Sequence, residues 1–297
     1  MISFIKRKWK GLRRKICRYL YRKNDRKYLA HLYRINFGSR PDIDNPKTFN
    51  EKLLWLKLYW RDDRCYPLVD KYEVREYVTK NGLEDILVPC YGVYETIEEF
   101  EEATIPFPYV LKVTHDSGGV WFINGPEDLQ KYKNDIVFHL NRKVYNRNRE
   151  WPYYKVRGRL IAEAKIETKS GKAPIDYKFF CFNGKTNYLF VATDRPDDIK
   201  FDFFDVNWNH IDVRNGHPNS TQLIEKPEKF DEMIKIAEKL SSDFPHVRVD
   251  LYNENGKIYF GEMTFFHFGG NTPFEPKEFD YVLGKELKLP NKMEEIK

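Results

Sequence analysis

The sequence predicts an α+β protein with a large antiparallel component, and three observations lead to that class. Residues 24–104 read mainly helical, from Pro108 onward short alternating strands are separated by turn signals, and the chain's last long feature is a hairpin from Val247 to Thr264. The 297 residues are enough to bury a sizeable core. Hydrophobic and charged fractions of 41% and 32% are those of a soluble protein, and 16% aromatic residues argue against disorder.

At the start, Ile2, Ile5, Trp9, Leu12, Ile16 and Tyr19 recur at helical spacing on one face, with Lys and Arg filling the others. Residues 1–40 hold fourteen Lys and Arg against Asp25 alone, a local +13, which leaves 37 basic against 44 acidic groups, or −7, in the rest. Two readings fit this leader (residues 1–39): an amphipathic helix on an anionic membrane surface, contacting it through residues 1–27, or a helix packed on the body with a solvated basic face. No uninterrupted apolar run makes it a secretory signal or a membrane span. The acidic body gives nucleic acid no clustered positive surface. Cys17, Cys65, Cys90 and Cys181 are scattered without paired spacing, which reads as a reduced, cytoplasmic protein with neither zinc site nor disulfide framework.

Along the body, Thr48 and Glu51 form a capping box that starts a helix through Leu53, Leu54, Leu56, Leu58 and Trp60. A second helix is expected from Lys71 to Lys80, stopped by Asn81-Gly82. Tyr109–Val113 and Val120–Ile123 read as strands around the loop His115–Gly119, followed by a helix from Pro126 to Arg142 and a strand from Leu160 to Ile166. Strands Tyr177–Phe182, Tyr188–Ala192 and Phe201–Val206, then a helix from Pro227 to Ser241, lead to the final hairpin.

In that hairpin Arg248, Asp250 and Tyr252 share one face, because strand side chains alternate. Paired carboxylates on adjacent strands suit Mg²⁺, and an Arg two residues away can neutralise a phosphoryl group. A two-residue Asn255-Gly256 turn, however, pairs Asp250 with Gly261 and sends Glu262 to the opposite face. Shared metal binding therefore requires a one-residue shift in the ladder; without it, the hairpin is a solvated acidic turn. Lys112, ending a strand before Ser117-Gly118-Gly119, can reach phosphates that the loop's N–H groups cover, though this is no Walker loop. Kinase motifs and a G-x-S-x-G elbow are absent, and the histidines are dispersed. Asp194-Arg195-Pro196-Asp197-Asp198 could be offered as the acidic metal motif of a nucleotide-sugar glycosyltransferase, but reads better as a turn.

Taken in order, Asp70-Lys71, Tyr109–Lys112, Asp116–Gly119, Ile161-Ala162-Glu163, Asp176–Phe180, Arg248-Val249-Asp250 and Gly261–Thr264 resemble the motif series of ATP-grasp enzymes, most of all the TupA-like, teichuronopeptide-synthesis branch, over residues 40–285. The resemblance implies a helical subdomain (40–107), a lid subdomain (108–166) and a C-terminal antiparallel sheet lobe (167–297), with ATP between them. Lys71 and Lys112 would contact ATP phosphates and Ser117, Gly118 and Gly119 would cover them. Glu163, Ala164, Lys165 and Ile166 would meet adenine, Asp176 the ribose, and Lys178 the γ-phosphate or acceptor. Arg248 would steady the transferring phosphoryl group, and Asp250 and Glu262 would bind magnesium with Thr264 as third ligand, where the family often has Asn. The implied chemistry is ATP- and Mg²⁺-dependent carboxylate–amine ligation through an acyl phosphate, with a uronic acid of a bacterial surface polysaccharide and an amino acid or amine as partners. A sugar kinase on the same fold and a glycosyltransferase are the alternatives.

Overall fold

The computed structural model describes residues 2–116, 118–169 and 171–292, with side chains from Gly11 onward. Helices α1 (Ile2–Leu20) and α2 (Asp25–Phe37) lead into α3 (Phe49–Tyr59). Asn24 caps α2 and Gly38 ends it in the left-handed region at φ 79°. The capping box on α3 is present in both directions, Thr48 accepting from the Glu51 N–H and Glu51 from the Thr48 N–H. Helix α1 meets the body through Cys17, buried beside Tyr28, Leu29 and Leu32 of α2 and Leu54 of α3. Arg14 adds a hydrogen bond to Asn36 at 2.7 Å. The described part of its apolar face, Leu12, Ile16 and Tyr19, stays exposed. The side chains of Ile2, Ile5 and Trp9 lie outside the described residues. No helix among the described residues is long and apolar enough to cross a membrane.

The short helices α4 (Cys65–Leu68) and α5 (Val74–Lys80) follow. Helix α5 starts three residues later than the spacing predicts, because Asp70 accepts the N–H groups of Tyr72 and Glu73 and holds the chain in a turn. The stretch read as mainly helical also contains a strand, β1 (Cys90–Tyr94), before α6 (Ile97–Glu101). Strand β1 joins β2 (Tyr109–Val113), β3 (Val120–Ile123) and β4 (Leu160–Ala164) in an antiparallel sheet of order β1-β4-β2-β3. Helix α7 (Pro126–Leu140) packs on β2 and β3 over a core of Leu111, Trp121, Ile123, Ile136 and Leu160. Strand β4 stops at Ala164 rather than Ile166. A single-turn helix, α8 (Tyr145–Asn148), lies between α7 and β4.

A second antiparallel sheet, of order β10-β9-β5-β6-β7-β8, contains β5 (Asp176–Phe182), β6 (Lys185–Thr193), β7 (Lys200–Asp205), β8 (His210–Ile211), β9 (His246–Glu254) and β10 (Lys257–Thr264). Helix α9 (Phe230–Ser241) precedes the hairpin, starting at Phe230 rather than Pro227, and α10 (Glu278–Glu286) closes the chain. Alternation along β5 divides labour between the sheet's faces. Phe179 packs toward Phe230 of α9, whereas Phe180 and Phe182 meet Phe49 of α3 edge-on. Asp176 and Lys178 share the face of Phe180 but lie beyond α3, where the sheet fronts a cavity. Asp194–Asp198 forms a turn whose three carboxylates are exposed.

Candidate active site

The Asn255-Gly256 turn is the two-residue kind, with φ of 54° and 70°, and it pairs Lys257 with Glu254. Regular pairing runs to Phe260 opposite Leu251, and the next pair is Glu262 opposite Asp250. Gly261 is the extra residue, so the required shift is a bulge inside β10. Beyond it Thr264 stands opposite Arg248, and Arg248, Asp250, Glu262 and Thr264 come together. A Cβ on Gly261 would sit 2.9 Å from the Asp250 carbonyl oxygen, which is why this position has no side chain.

Arg248 is the hub. Its Nε and Nη2 each donate to one Asp250 oxygen at 2.7 Å, and Nη2 also reaches Glu262 Oε1 and Thr264 Oγ1 at 3.1 Å. Nη1 donates to His267 Nδ1 at 2.8 Å, which leaves His267 Nε2–H to donate to Asn215 Oδ1 at 2.8 Å. Burial, with Arg248 adjacent, holds His267 well below the usual imidazole range, so it is a neutral acceptor. Burial pushes Asp250 up, to about 6, against the pull of Arg248 and Lys178. Glu262 goes the other way: burial pushes it up, but Lys178, Lys71 and Arg248 together bring it down to about 2.

Lys178 bridges Asp176, at 2.6 Å, and Asp250. Burial favours the neutral amine, but these two carboxylates outweigh it and keep Lys178 charged. Arg195 forms an ion pair with the same Asp176 oxygen at 2.9 Å, while the buried Asp176 Oδ1 has no hydrogen-bond partner among the described residues.

The facing cations come from β2 and from the turn before α5. Lys112 bonds Glu163 at 2.7 Å, and Arg75 takes the other Glu163 oxygen at 3.1 Å. Burial lowers Lys112, yet Glu163, with Tyr252 and Glu262 adding to it, holds it at about 12. Both Glu163 oxygens are thus engaged by cations, and its side chain positions Lys112. Lys71 Nζ donates to the Asp116 carbonyl at 2.6 Å; burial lowers its pKa, with Glu262 across the cavity opposing. The Asp116 carboxylate is held by His139 at 2.7 Å and Arg142 at 2.8 Å, so the loop is anchored at its start. Gly118 and Gly119 pass so close to His139 that a Cβ would come within 3.1 and 3.2 Å of it. Ser117 lies outside the described residues.

Between the sheets is a cavity of about 510 Å³, within the range of small-molecule sites. Lys71, Lys112, Gly118, Ala164, Ile166, Asp176, Lys178, Asp250 and Glu262 all line it. Val88, Val110, Ala164, Ile166 and Ile199 make one part apolar. Lys165 faces a neighbouring cavity with Lys172 and Asp194 instead, while Arg248 and Thr264 sit behind the wall. Sequence reasoning missed Arg75, Arg195, Tyr252 and His267; of these, only Tyr252 carried a local signal, its place on the Arg248 face.

The donor set suits a divalent ion that arrives with phosphate. Asp250 and Glu262 supply two carboxylates, and Thr264 a hydroxyl already bonded to Glu262 at 3.1 Å. Among the described residues no group of three His, Cys, Asp or Glu could hold an ion by itself. Two carboxylates plus substrate oxygens is the arrangement Mg²⁺ favours.

The profile of the TupA-like ATP-grasp family matches residues 51–288. No curated protein matches the chain by sequence. Among similar solved structures, D-alanine–D-alanine ligase from Bacillus anthracis is 16% identical with a TM-score of 0.40, the match covering 67% of this chain and 57% of that one. The same enzyme from Helicobacter pylori gives 15%, 0.42, 74% and 61%. L-amino acid ligase from Bacillus licheniformis gives 14%, 0.47, 77% and 52%. The chain thus spans between about half and three fifths of those proteins' lengths. With about four fifths of its length inside the profile match, this chain belongs to the TupA-like ATP-grasp family.

Proposed function

We propose that the protein is an ATP- and Mg²⁺-dependent carboxylate–amine ligase. The observation that carries this reading is the cavity between two sheets, with Lys71 and Lys112 on one wall and Lys178, Asp250 and Glu262 on the other, backed by Arg248. Adenine occupies the apolar part, bounded by Ala164 and Ile166, and the unpartnered Asp176 oxygen takes a ribose hydroxyl. Lys71, Lys112 and the N–H groups of the Gly118-Gly119 loop hold the phosphates. Magnesium, bound by Asp250 and Glu262 with Thr264 beside them, supplies charge neutralisation at the phosphate oxygens. In this reading the sheet β1–β4 belongs to the lid of residues 108–166, with β1 contributed from 40–107, and residues 167–297 are the catalytic lobe.

An acceptor carboxylate oxygen attacks the γ-phosphorus and the bond to ADP breaks. The amine nitrogen then attacks the acyl carbon, phosphate leaves with the C–O bond, and the amine proton passes to solvent. Arg248 is fixed by Asp250 and His267 before charge develops, so its contribution costs no reorganisation. Lys178 places a second cation beside the phosphoryl group. The cavity lining among the described residues has no Ser, Cys or His, in keeping with direct transfer without a protein nucleophile. The acceptor is a uronic acid of a surface polysaccharide and the amine an amino acid. The exposed Leu12, Ile16 and Tyr19 among the basic residues of α1 fit peripheral attachment to the cytoplasmic face of an anionic membrane.

The test is to incubate the protein with Mg-ATP and a panel of uronic acids and amino acids and to measure ADP, with hydroxylamine added to trap acyl phosphate. Hydroxamate supports the ligase. ADP with a phosphorylated hydroxyl and no hydroxamate makes it a kinase, and consumption of a nucleotide sugar makes it a glycosyltransferase.

A further inference from the structure

Arg195, on the turn between β6 and β7, has no part in the ligase chemistry, yet it reaches the site. Its Nη1 pairs with Asp176 Oδ2 at 2.9 Å and its Nη2 donates to the Pro174 carbonyl at 3.1 Å. The guanidinium also lies over the Tyr252 ring, 5.7 Å from its centre. Tyr252 stands opposite Asp176 in the β5–β9 ladder, as Asp250 stands opposite Lys178. Asp176 is therefore one step along the same face from the metal carboxylates, about 7 Å. Both Asp176 and Arg195 line the nucleotide cavity.

The two cations on Asp176 differ in what else holds them. Lys178 is shared with Asp250 and sits on a flexible stem, so phosphates arriving beside Asp250 can draw it off Asp176. Arg195 is fixed by a carboxylate, a carbonyl and a ring, all on the wall around Asp176. It is the partner that stays. The Asp176 side chain is only 2% exposed, and a buried carboxylate without a cation is costly.

Two buried polar atoms of this pair have no hydrogen-bond partner among the described residues: Asp176 Oδ1, an acceptor, and Arg195 Nε–H, a donor. An acceptor and a donor on adjoining side chains match a vicinal diol, in which one hydroxyl donates to Oδ1 and its neighbour accepts from Nε–H. A phosphate oxygen has no proton to give and could not satisfy Oδ1. We propose that Arg195 makes the site select a ribose over a deoxyribose nucleotide, holding Asp176 in place once Lys178 turns away and taking the second sugar hydroxyl on its own Nε–H. This rests on the reading of the cavity as a nucleotide site, but not on the reaction performed there.

The probes are ADP, 2′-deoxy-ADP and 3′-deoxy-ADP, titrated calorimetrically with Mg²⁺ into the full chain. A site built around a hydroxyl leaves buried groups unpaired when the hydroxyl is missing, so the wild type is expected to bind each deoxy analogue about tenfold more weakly than ADP, or worse. In Arg195→Met the ADP affinity should fall to the level of the analogues. Arg195→Lys keeps a cation for Asp176 but loses the Nε–H, so it should retain the penalty for one missing hydroxyl and lose the other. Equal wild-type affinity for the three nucleotides overturns the proposal without any variant, and leaves the nucleotide site standing. A parallel fall for all three in both variants, with their ratios preserved, is the pattern of a merely structural role and also overturns it. No nucleotide binding by the wild type removes the nucleotide site and the proposal with it. Selection for the diol in a protein that forms no hydroxamate supports the proposal and removes the ligase.

Discussion

Gly261→Ala tests the site without touching a charged side chain. The new Cβ would lie 2.9 Å from the Asp250 carbonyl oxygen, 3.4 Å from its carbonyl carbon and 3.4 Å from Tyr252 Cε2. Backbone atoms cannot rotate away, so β9 and β10 must part by a few tenths of an ångström at the pair Asp250–Glu262. Overpacking of this kind costs about 1–3 kcal/mol, and at about 2–4 °C per kcal/mol in a large domain the melting temperature falls by roughly 2–12 °C. Misplacing reacting groups by about 1 Å can cost a hundredfold in rate, so the smaller shift here is expected to cost on the order of tenfold. Melting curves and ADP release measured against magnesium concentration read both effects, and part of the lost turnover should return at high magnesium. Gly38→Ala is the control: its φ of 79° is strained, but nothing lies within 4 Å, so it should lower stability and leave turnover alone. A Gly261→Ala protein with a lowered melting temperature but wild-type turnover at wild-type magnesium would refute the assignment of Asp250 and Glu262.

Other expectations follow from the same geometry. Asp250→Asn and Glu262→Gln should each abolish ATP turnover, and retained activity in both would remove them from the metal site. Arg248→Lys keeps the charge but loses the fork, so turnover should fall by about 10²–10³, the usual cost of one preorganised donor to the transition state; a change confined to KM would argue for a ground-state role. Burial lowers His246 from 6.5 to about 3, so the unfolded chain binds the extra proton and stability falls as pH drops below 6.5, by about 1.4 kcal/mol per unit, or about 2 kcal/mol at pH 5. Asp280, raised to about 6 by burial, takes up a proton on folding and opposes this between pH 6 and 4, so the effect is read as the difference in denaturant stability between wild type and His246→Gln, which should lose the histidine's share of the slope. Leu12→Glu with Ile16→Glu should abolish sedimentation with phosphatidylglycerol vesicles while leaving the melting temperature unchanged; undiminished sedimentation would rule out that face of α1.

Much of the fold was legible because local rules decide it. Thr48 and Glu51 announce α3, and alternation in β5 and β9 assigns one face to α9 and the other to the site. The hairpin was legible in a stronger sense, since its turn residues fix a register that is incompatible with a shared site unless the ladder slips, and Gly261 is the residue that permits the slip. Strand β1 was hidden because Cys90–Tyr94 has no burial alternation of its own and becomes a strand only by pairing with β4, some seventy residues on. Helix α5 began late because a side chain, Asp70, outcompeted the helix for two N–H groups. The partners of the site were the least legible. Arg75, Arg195 and His267 reach Glu163, Asp176 and Arg248 across 88, 19 and 19 residues, and no spacing rule links them.

Lys178 has a consequence for the order in which ions and nucleotide arrive. Its ammonium already balances Asp176 and Asp250, as Arg248 balances Asp250 and Glu262. A bare divalent ion must therefore compete with two tethered cations for charge that is already neutralised, and must shed its own water to do so. A nucleotide changes the balance, because its phosphates bring new negative charge that the Lys178 ammonium can turn toward while Arg248 keeps its place. The site is thus an ion exchanger primed by nucleotide: magnesium alone should bind weakly, and should enter tightly only as the companion of ATP.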